Sequence, residues 1–366
     1  MTCMTALRSA IPSSIARLLT ATSLALLTAC GGGGGGGGSS DAAGGGTSGA
    51  STSGSTAAPG YATMANASLG IGANANGDIP FPASNPINTD ISGASVDPNS
   101  ANLINSIGMN TGLHPDFGAF PYGIPYVIVD QSQALVTVTI NQGTGYPGDS
   151  DIAPMPIPPN APVEGGLNSG GDSHVLVVDR SNNKLYEMWH AAPAANNNWT
   201  ADQSSIFDLT SNNWRPTKSG QCDVTSADAA GLPIFPLLAR YEEVESGEIK
   251  HAMRMTVQSS REAYVPPASH WASSSTNVNL PPMGMRVRLK SSYVIPNSFS
   301  KESRVMLQAM QKYGLIVADN GSNWYITGAT DSRWPIDTMV SELRQVEGSN
   351  FEVVTMTGLI TPTQCP

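Results

Sequence analysis

The stretch GDSHVLVVDRSNNKLYEMWHA, residues 171–191, decides the fold, because it reads as two apolar-rich strands joined at Ser181-Asn182-Asn183-Lys184. Asn-Asn supports the left-handed backbone of a two-residue hairpin turn. That turn sets Leu176 opposite Trp189 and Val178 opposite Glu187. His174, Glu187 and Trp189 then share one sheet face, with Asp172 two residues upstream on the same side. A three-residue loop would shift the register, joining Asp179 to Glu187 and setting His174 opposite His190. The first register suits Asn182-Asn183 better. It gathers the chemistry of a glycan site, since Trp189 can stack on a sugar ring while Asp172, His174 and Glu187 exchange protons. An ordinary half-exposed sheet face carries such charges as well.

Further strand-like runs with period-two alternation flank this hairpin: YVIVD from Tyr126, LVTVTI from Leu135, SIFDL from Ser205, IKHAMRMTV from Ile249 and MRVRLK from Met285. Residues 146–166 hold too many prolines for strand or helix and read as a long ordered loop. A short helix is expected after Asp97-Pro98, stopped by Gly108. Toward the C-terminus the pattern changes to a helix (SKESRVMLQAMQKYG), a hairpin turning on Asp319-Asn320-Gly321, a helix (DTMVSELRQVEG) and a strand at Phe351–Val354. The expected class is strand-rich α+β: a sandwich-like antiparallel β core, with an α/β part over about 298–355 packed on it.

In IKHAMRMTV, His251 lies on the apolar face and reads as a buried, satisfied core histidine. Lys250 and Arg254 take the other face, and in MRVRLK the polar face is Arg286, Arg288 and Lys290. If these strands pair, they form a cationic strip suited to carboxylate or sulfate groups. His270-Trp271 opens a hydroxyl-rich loop that could bind substrate or support acyl chemistry, but the chain has no GxSxG elbow. No CxxC, CxxCH or Cys/His cluster is present, so neither metal nor cofactor is indicated.

The mature charge balance excludes a general nucleic-acid binder. Of 18 Lys+Arg and 28 Asp+Glu, Arg8 and Arg17 fall in the leader, leaving 16 against 28, a formal charge of −12 that repels phosphate backbones. With 38 Gly, 27 Pro and 13% charged residues, the composition suits a loop-rich exported fold. Cys222 and Cys365 remain once the N-terminal cysteines are assigned, and outside the cytoplasm such a pair is expected to form a disulfide.

Residues 1–29 have the basic start and short apolar segment of a secretory leader. The segment is too short to anchor the chain as a membrane helix. Leu27-Thr28-Ala29-Cys30 resembles the lipobox of bacterial lipoproteins. The resemblance implies that Cys30 is acylated, becomes the first mature residue and attaches to a lipid bilayer; Gly31 rather than Asp after it implies the outer membrane. Gly31–Gly38 and the Ser/Gly/Ala/Thr-rich residues to 78 read as a tether, spanning about 35 to 40 Å as a random coil. Residues 79–366 are then one globular domain. That domain resembles a family of exported bacterial proteins with similar PYVIVD (125–130), HVLVVDR (174–180), TSADAAGLP (225–233) and PPMGMRVRLK (281–290) stretches, a resemblance that assigns no reaction and no catalytic residue. The expected function is a surface-anchored carbohydrate-active enzyme, a hydrolase or lyase using Asp172, His174 and Glu187, with Trp189, Arg254, Arg286, Arg288, His270 and Trp271 on a polysaccharide or oligosaccharide. The alternative is a non-catalytic glycan-binding or structural envelope lipoprotein.

Overall fold

The computed structural model describes residues 60–214 and 222–365; the expected leader, the expected lipobox with Cys30 and most of the expected tether lie outside them. In chain order the strands are β1 (Gly70–Ile71), β2 (His114–Asp116), β3 (Tyr126–Val129), β4 (Val138–Ile140), β5 (Val175–Asp179), β6 (Lys184–Trp189), β7 (Ala192–Pro193), β8 (Trp199–Ala201), β9 (Gln203–Asp208), β10 (Met253–Val257), β11 (Arg286–Leu289), β12 (Leu315–Asn320), β13 (Tyr325–Thr327) and β14 (Phe351–Val353). The α-helices are α1 (Ser100–Ile107), α2 (Tyr241–Ser246), α3 (Lys301–Lys312) and α4 (Ile336–Leu343). No helix among the described residues is long and apolar enough to cross a membrane. The class is strand-rich α+β.

The sheets are mixed, which corrects the expected antiparallel core. A five-stranded sheet runs β1-β3-β5-β6-β9, a six-stranded sheet β14-β11-β12-β10-β13-β2, and a three-stranded sheet β4-β8-β7. The pairs β3–β5, β4–β8, β10–β12 and β2–β13 are parallel. Parallel pairing needs a long crossover, and the chain supplies it: the proline-rich loop separates β3 from β5, and α3 lies between β10 and β12. The strands themselves are shorter than the periodic runs. His251, expected within a strand, precedes β10; its Nδ1 meets Ala252 O at 2.8 Å and its Nε2 meets Glu243 at 3.1 Å, so it is buried and satisfied as expected.

The hairpin of β5 and β6 has a four-residue loop, not two. Asp179 pairs with Lys184 and Leu176 with Glu187. The physical reason is Asp179 itself, whose carboxylate accepts from Ser181 N, Asn182 N and Asn182 Nδ2 and so closes the turn earlier. The change is two residues in register, and faces repeat every two residues, so His174 and Glu187 still point to the same side. Both sides are buried. Leu176, Val178, Leu185 and Phe207 enter the main core, whereas Val175, Val177, Tyr186 and Met188 pack with Val138, Trp199, Met155 and Ile157 in a second one. The ordered proline-rich loop therefore roofs the second core.

Two more expectations change. Residues 60–78, assigned by composition to the tether, belong to the folded domain: Met64, Ala67 and Ala75 are buried, β1 pairs with β3, and Arg180 donates to Ala67 O at 2.5 Å. Their small side chains fit a segment held through its backbone. The hairpin on Asp319-Asn320-Gly321 does not form either, because β10 lies between β12 and β13. Asn320 instead spends its side-chain amide on Ala272 O.

Candidate functional site

Around β10 the six-stranded sheet is apolar on one face and polar on the other. Met253, Met255 and Val257 of β10 alternate with Arg254 and Thr256, and the apolar set enters the main core. Register carries the polar set across the sheet. Thr327 pairs with Asp116, Ile326 with Met255, and Tyr325 with both Thr256 and His114, which places Thr327 beside Arg254. Arg254 Nη1 donates to Thr327 Oγ1 at 3.0 Å.

Asp319 reaches this face through a bulge. Met255 pairs with Val317, but Thr256 pairs with Asp319, so Ala318 is skipped. Unbroken alternation would send Asp319 into the apolar core; one extra residue re-aims it. Ala318 O accepts from Ala230 N at 3.0 Å, which holds the 225–233 segment against the bulge. That segment brings Asp228 onto Arg254 Nη2, while Asp319 Oδ2 stands 3.9 Å from the same nitrogen.

Above this floor is a cavity of about 490 Å³, lined by Asp116, Arg254, Thr256, Asp319, Tyr325 and Thr327 from the sheet, and by Tyr122, Glu164, Asp172 and His174 from loops. His174 Nδ1 lies 2.6 Å from Glu164 Oε2 and its Nε2 lies 2.9 Å from Ala227 O. Asp172 Oδ1 accepts from Trp189 Nε1 at 3.1 Å. Ser173 between them is left-handed, with φ 51°, as is His190 with φ 50°. Such conformations cost on the order of 1 kcal/mol or more in a non-glycine residue, and the cross-strand bonds His190 N to Asp172 O (2.8 Å) and Ala191 N to Ser173 O (3.1 Å) hold them. Phe120 and Tyr122, each 65% exposed, stand on the loop beside the cavity, with Tyr122 at its edge.

The electrostatics divide the carboxylates. Burial works against a charged His174, but the Glu164 carboxylate outweighs it and pushes the imidazole up to about 9. With an acceptor on each nitrogen, His174 is an imidazolium whose two N–H groups are both spent. It positions Glu164 and Ala227 rather than relaying protons. Burial, reinforced by the nearby Asp228 charge and moderated by Arg254, pushes Asp319 up to about 6. Burial also raises Asp116. A cavity with one carboxyl group near neutrality beside other carboxylates can run acid–base chemistry.

Of the residues expected from sequence, the cavity unites Asp172, His174 and Arg254. Glu187 is not among its lining residues. It is fully buried, and its carboxylate accepts Ile234 N and Phe235 N at 2.9 Å, capping the 3₁₀ turn Phe235–Leu237. Burial pushes Glu187 up to about 7 despite those two donors. Trp189 orients Asp172 and stacks on His190 at 3.8 Å instead of offering a platform. The cationic strip does not form, since β12 separates β10 from β11. Arg288 is bound by Glu352 (Nε–Oε1 3.0 Å), Ser92 O and Ala94 O (both 3.0 Å); Lys290 donates to Ser349 O at 2.8 Å; Arg286 lines another cavity. His270 Nδ1 meets Ala229 O at 2.6 Å, and Trp271 stacks on Tyr264 at 5.9 Å; neither lines the acidic cavity. Cys222 and Cys365 form the expected disulfide.

Asp116 and Glu164 are cavity carboxylates that sequence reasoning passed over as site residues, and Asp319 is one it read first as part of a turn. The Asp319-Asn320-Gly321 signal is a turn signal, and Glu164 sits in a loop without periodicity. Among the described residues, no group of three or more His, Cys, Asp or Glu is arranged to hold a metal ion. No family model, curated protein or solved structure matches the chain.

Proposed function

We propose that the protein is a glycan hydrolase or lyase working in the acidic cavity, exported and fixed to the outer membrane through acylated Cys30. The observation that carries this reading is the meeting, in one open polar cavity, of Asp319 held near pH 6 with Asp172, beside the exposed ring of Tyr122. In hydrolysis, the Asp319 carboxyl gives its proton to the glycosidic oxygen as the C–O bond breaks, and the Asp172 carboxylate takes a proton from the attacking water. Tyr122 and Phe120 offer apolar faces to sugar rings. The same reading takes the five- and three-stranded sheets, whose facing residues share one apolar cluster, as a small β-sandwich carrying the Glu164–His174 wall.

The test is a panel of polysaccharides presented to the purified protein, scored for product release and for retention. Product release abolished by Asp319→Asn, with retention intact, supports the enzyme. Retention without product from any polysaccharide turns the reading to the glycan-binding alternative, which the exposed aromatics also favour. The anchor is tested separately: a fatty-acid analogue should label the wild-type chain and not Cys30→Ser, and label persisting on the variant overturns the lipoprotein reading.

A further inference from the structure

The proposed reaction uses two carboxyl groups, Asp319 and Asp172, yet Asp116 and Glu164 line the same cavity. Its cations are His174 and Arg254, and both are already matched. His174 Nδ1 lies 2.6 Å from Glu164, while Arg254 gives Nη2 to Asp228 and Nη1 to Thr327 Oγ1. Asp319 is only a loose second partner of Nη2, at 3.9 Å. Asp172 accepts from Trp189 Nε1, a neutral donor. Among the described residues the Asp116 side chain has no hydrogen bond and no ion pair. The cavity therefore presents more negative charge than its own cations answer.

Asp116 is placed there by register. It ends β2, is exposed, and pairs with Thr327, so Asp116, Thr327 and Arg254 follow one another across the polar side of the sheet. Arg254 spends its donors on Thr327 and Asp228 and leaves none for Asp116. His114, two residues upstream, supplies no lasting charge: its ring stacks on Tyr325 at 4.2 Å, and burial lowers its pKa, so it is mostly neutral at pH 7. The nearby Glu164 carboxylate adds to the negative field at Asp116. A concave site lined by one sign of charge concentrates counter-charge. A uronic acid or sulfated sugar would bring like charge into it. A ring ammonium, with three donors and a positive charge, can bond Asp116 directly.

We propose that the acidic cavity takes a glycan with free amino groups, and that Asp116 sets this choice by receiving a ring ammonium. The proposal rests on the reading of the cavity as a glycan site and names the class of glycan. A charge-assisted bond of this kind should favour the free amine over its acetylated form by about 10-fold in affinity.

Hexaglucosamine is the probe, titrated into the purified protein at pH 6 by calorimetry, with its N-acetylated counterpart, hexagalacturonate and hexalysine as separate titrants and product release assayed apart. Saturable hexaglucosamine binding is expected, about 10-fold tighter than the acetylated hexamer, with no binding of hexagalacturonate. Added sodium chloride should weaken the first and spare the second, a wild-type measurement that needs no variant. Asp116→Asn should weaken hexaglucosamine binding by about the same 10-fold with the near-ultraviolet circular dichroism unchanged. Absent hexaglucosamine binding, equal affinity for the two hexamers, tighter binding of hexagalacturonate, insensitivity to salt, undiminished affinity in Asp116→Asn, or hexalysine binding as tightly as hexaglucosamine would each overturn the proposal. Product released from a neutral or acidic glycan while hexaglucosamine fails to bind would leave the enzyme reading standing and remove this one. Asp116-dependent binding of hexaglucosamine without product from any glycan would support this one and remove the enzyme.

Discussion

The five-stranded and six-stranded sheets share the main core, yet they treat polar residues in opposite ways. The five-stranded sheet buries both faces, and its two buried acids are answered, Glu187 by two backbone N–H groups and Asp179 by Ser181 N, Asn182 N and Asn182 Nδ2. The six-stranded sheet buries one face and, around β10, brings Asp116, Arg254, Thr256 and Asp319 to a cavity on the other. A sheet covered on both sides can hold a charge only by satisfying it completely. A sheet with a polar side can leave carboxylates incompletely answered, and those are the groups available to a substrate. Glu187 and Asp319 both have carboxyl groups raised toward neutrality. Access distinguishes them.

The comparison breaks most sharply at Asp319. Asp319→Asn should lower turnover by about 10²- to 10⁴-fold, the usual worth of a general acid, with the fold unchanged; the amide oxygen still accepts Asn320 N, a bond of 2.7 Å in the native protein. Because the reaction needs the protonated carboxyl, wild-type kcat should fall as pH rises through about 6. Turnover that persists in the variant, or climbs steadily above pH 7, would remove Asp319 from the mechanism.

Next in size is the ion pair in the cavity wall. Glu164→Ala removes the carboxylate that keeps the buried His174 charged and hydrogen-bonded, which typically costs about 3 to 5 kcal/mol of stability. The pair also dictates a pH dependence. His174 is raised from 6.5 to about 9 in the folded protein, so its contribution is complete below pH 6.5 and is lost as pH rises toward and through 9. The loss amounts to about 3 kcal/mol. Denaturant melts at pH 6.5 and 9.5 should show a fall in stability for the wild type and a smaller one for Glu164→Ala; equal falls would assign the pH dependence elsewhere.

A smaller effect is expected on the scaffold side. Glu187→Gln replaces one accepting oxygen by an NH₂ facing backbone N–H groups, at a cost of about 1 to 3 kcal/mol, with turnover per folded molecule unchanged. A large loss of turnover at full stability would return Glu187 to the reaction and erase the contrast between the sheets. Smallest is Tyr122→Ala, exposed and outside the core. It should change stability by less than about 0.5 kcal/mol while weakening glycan retention several-fold, and unaltered retention would remove the aromatic rim from the site.

Much of the contrast was written locally. Alternation in IKHAMRMTV and MRVRLK separated Arg254 and Arg286 from their apolar neighbours, and the hairpin pattern set His174 and Glu187 on one side even though the loop length was misjudged. Period-two geometry survives a register error of two residues, so face assignments outlast register assignments. The expected leader, the lipobox resemblance and the disulfide candidates are equally local readings of composition and spacing. Pairing partners are not local. Nothing in GLIVADNG says that β10, nearly sixty residues earlier, will lie between β12 and β13, that one bulge will carry Asp319 from the core side to the cavity side, or that Glu164 from a proline-rich loop will meet His174. Whether a polar face is sealed, as around Glu187, or open, as around Asp319, depends on which distant segment lies over it. Alternation along one strand determines which way a side chain points, while the packing of distant segments, through burial and neighbouring charge, decides what it meets there and what its protons can do.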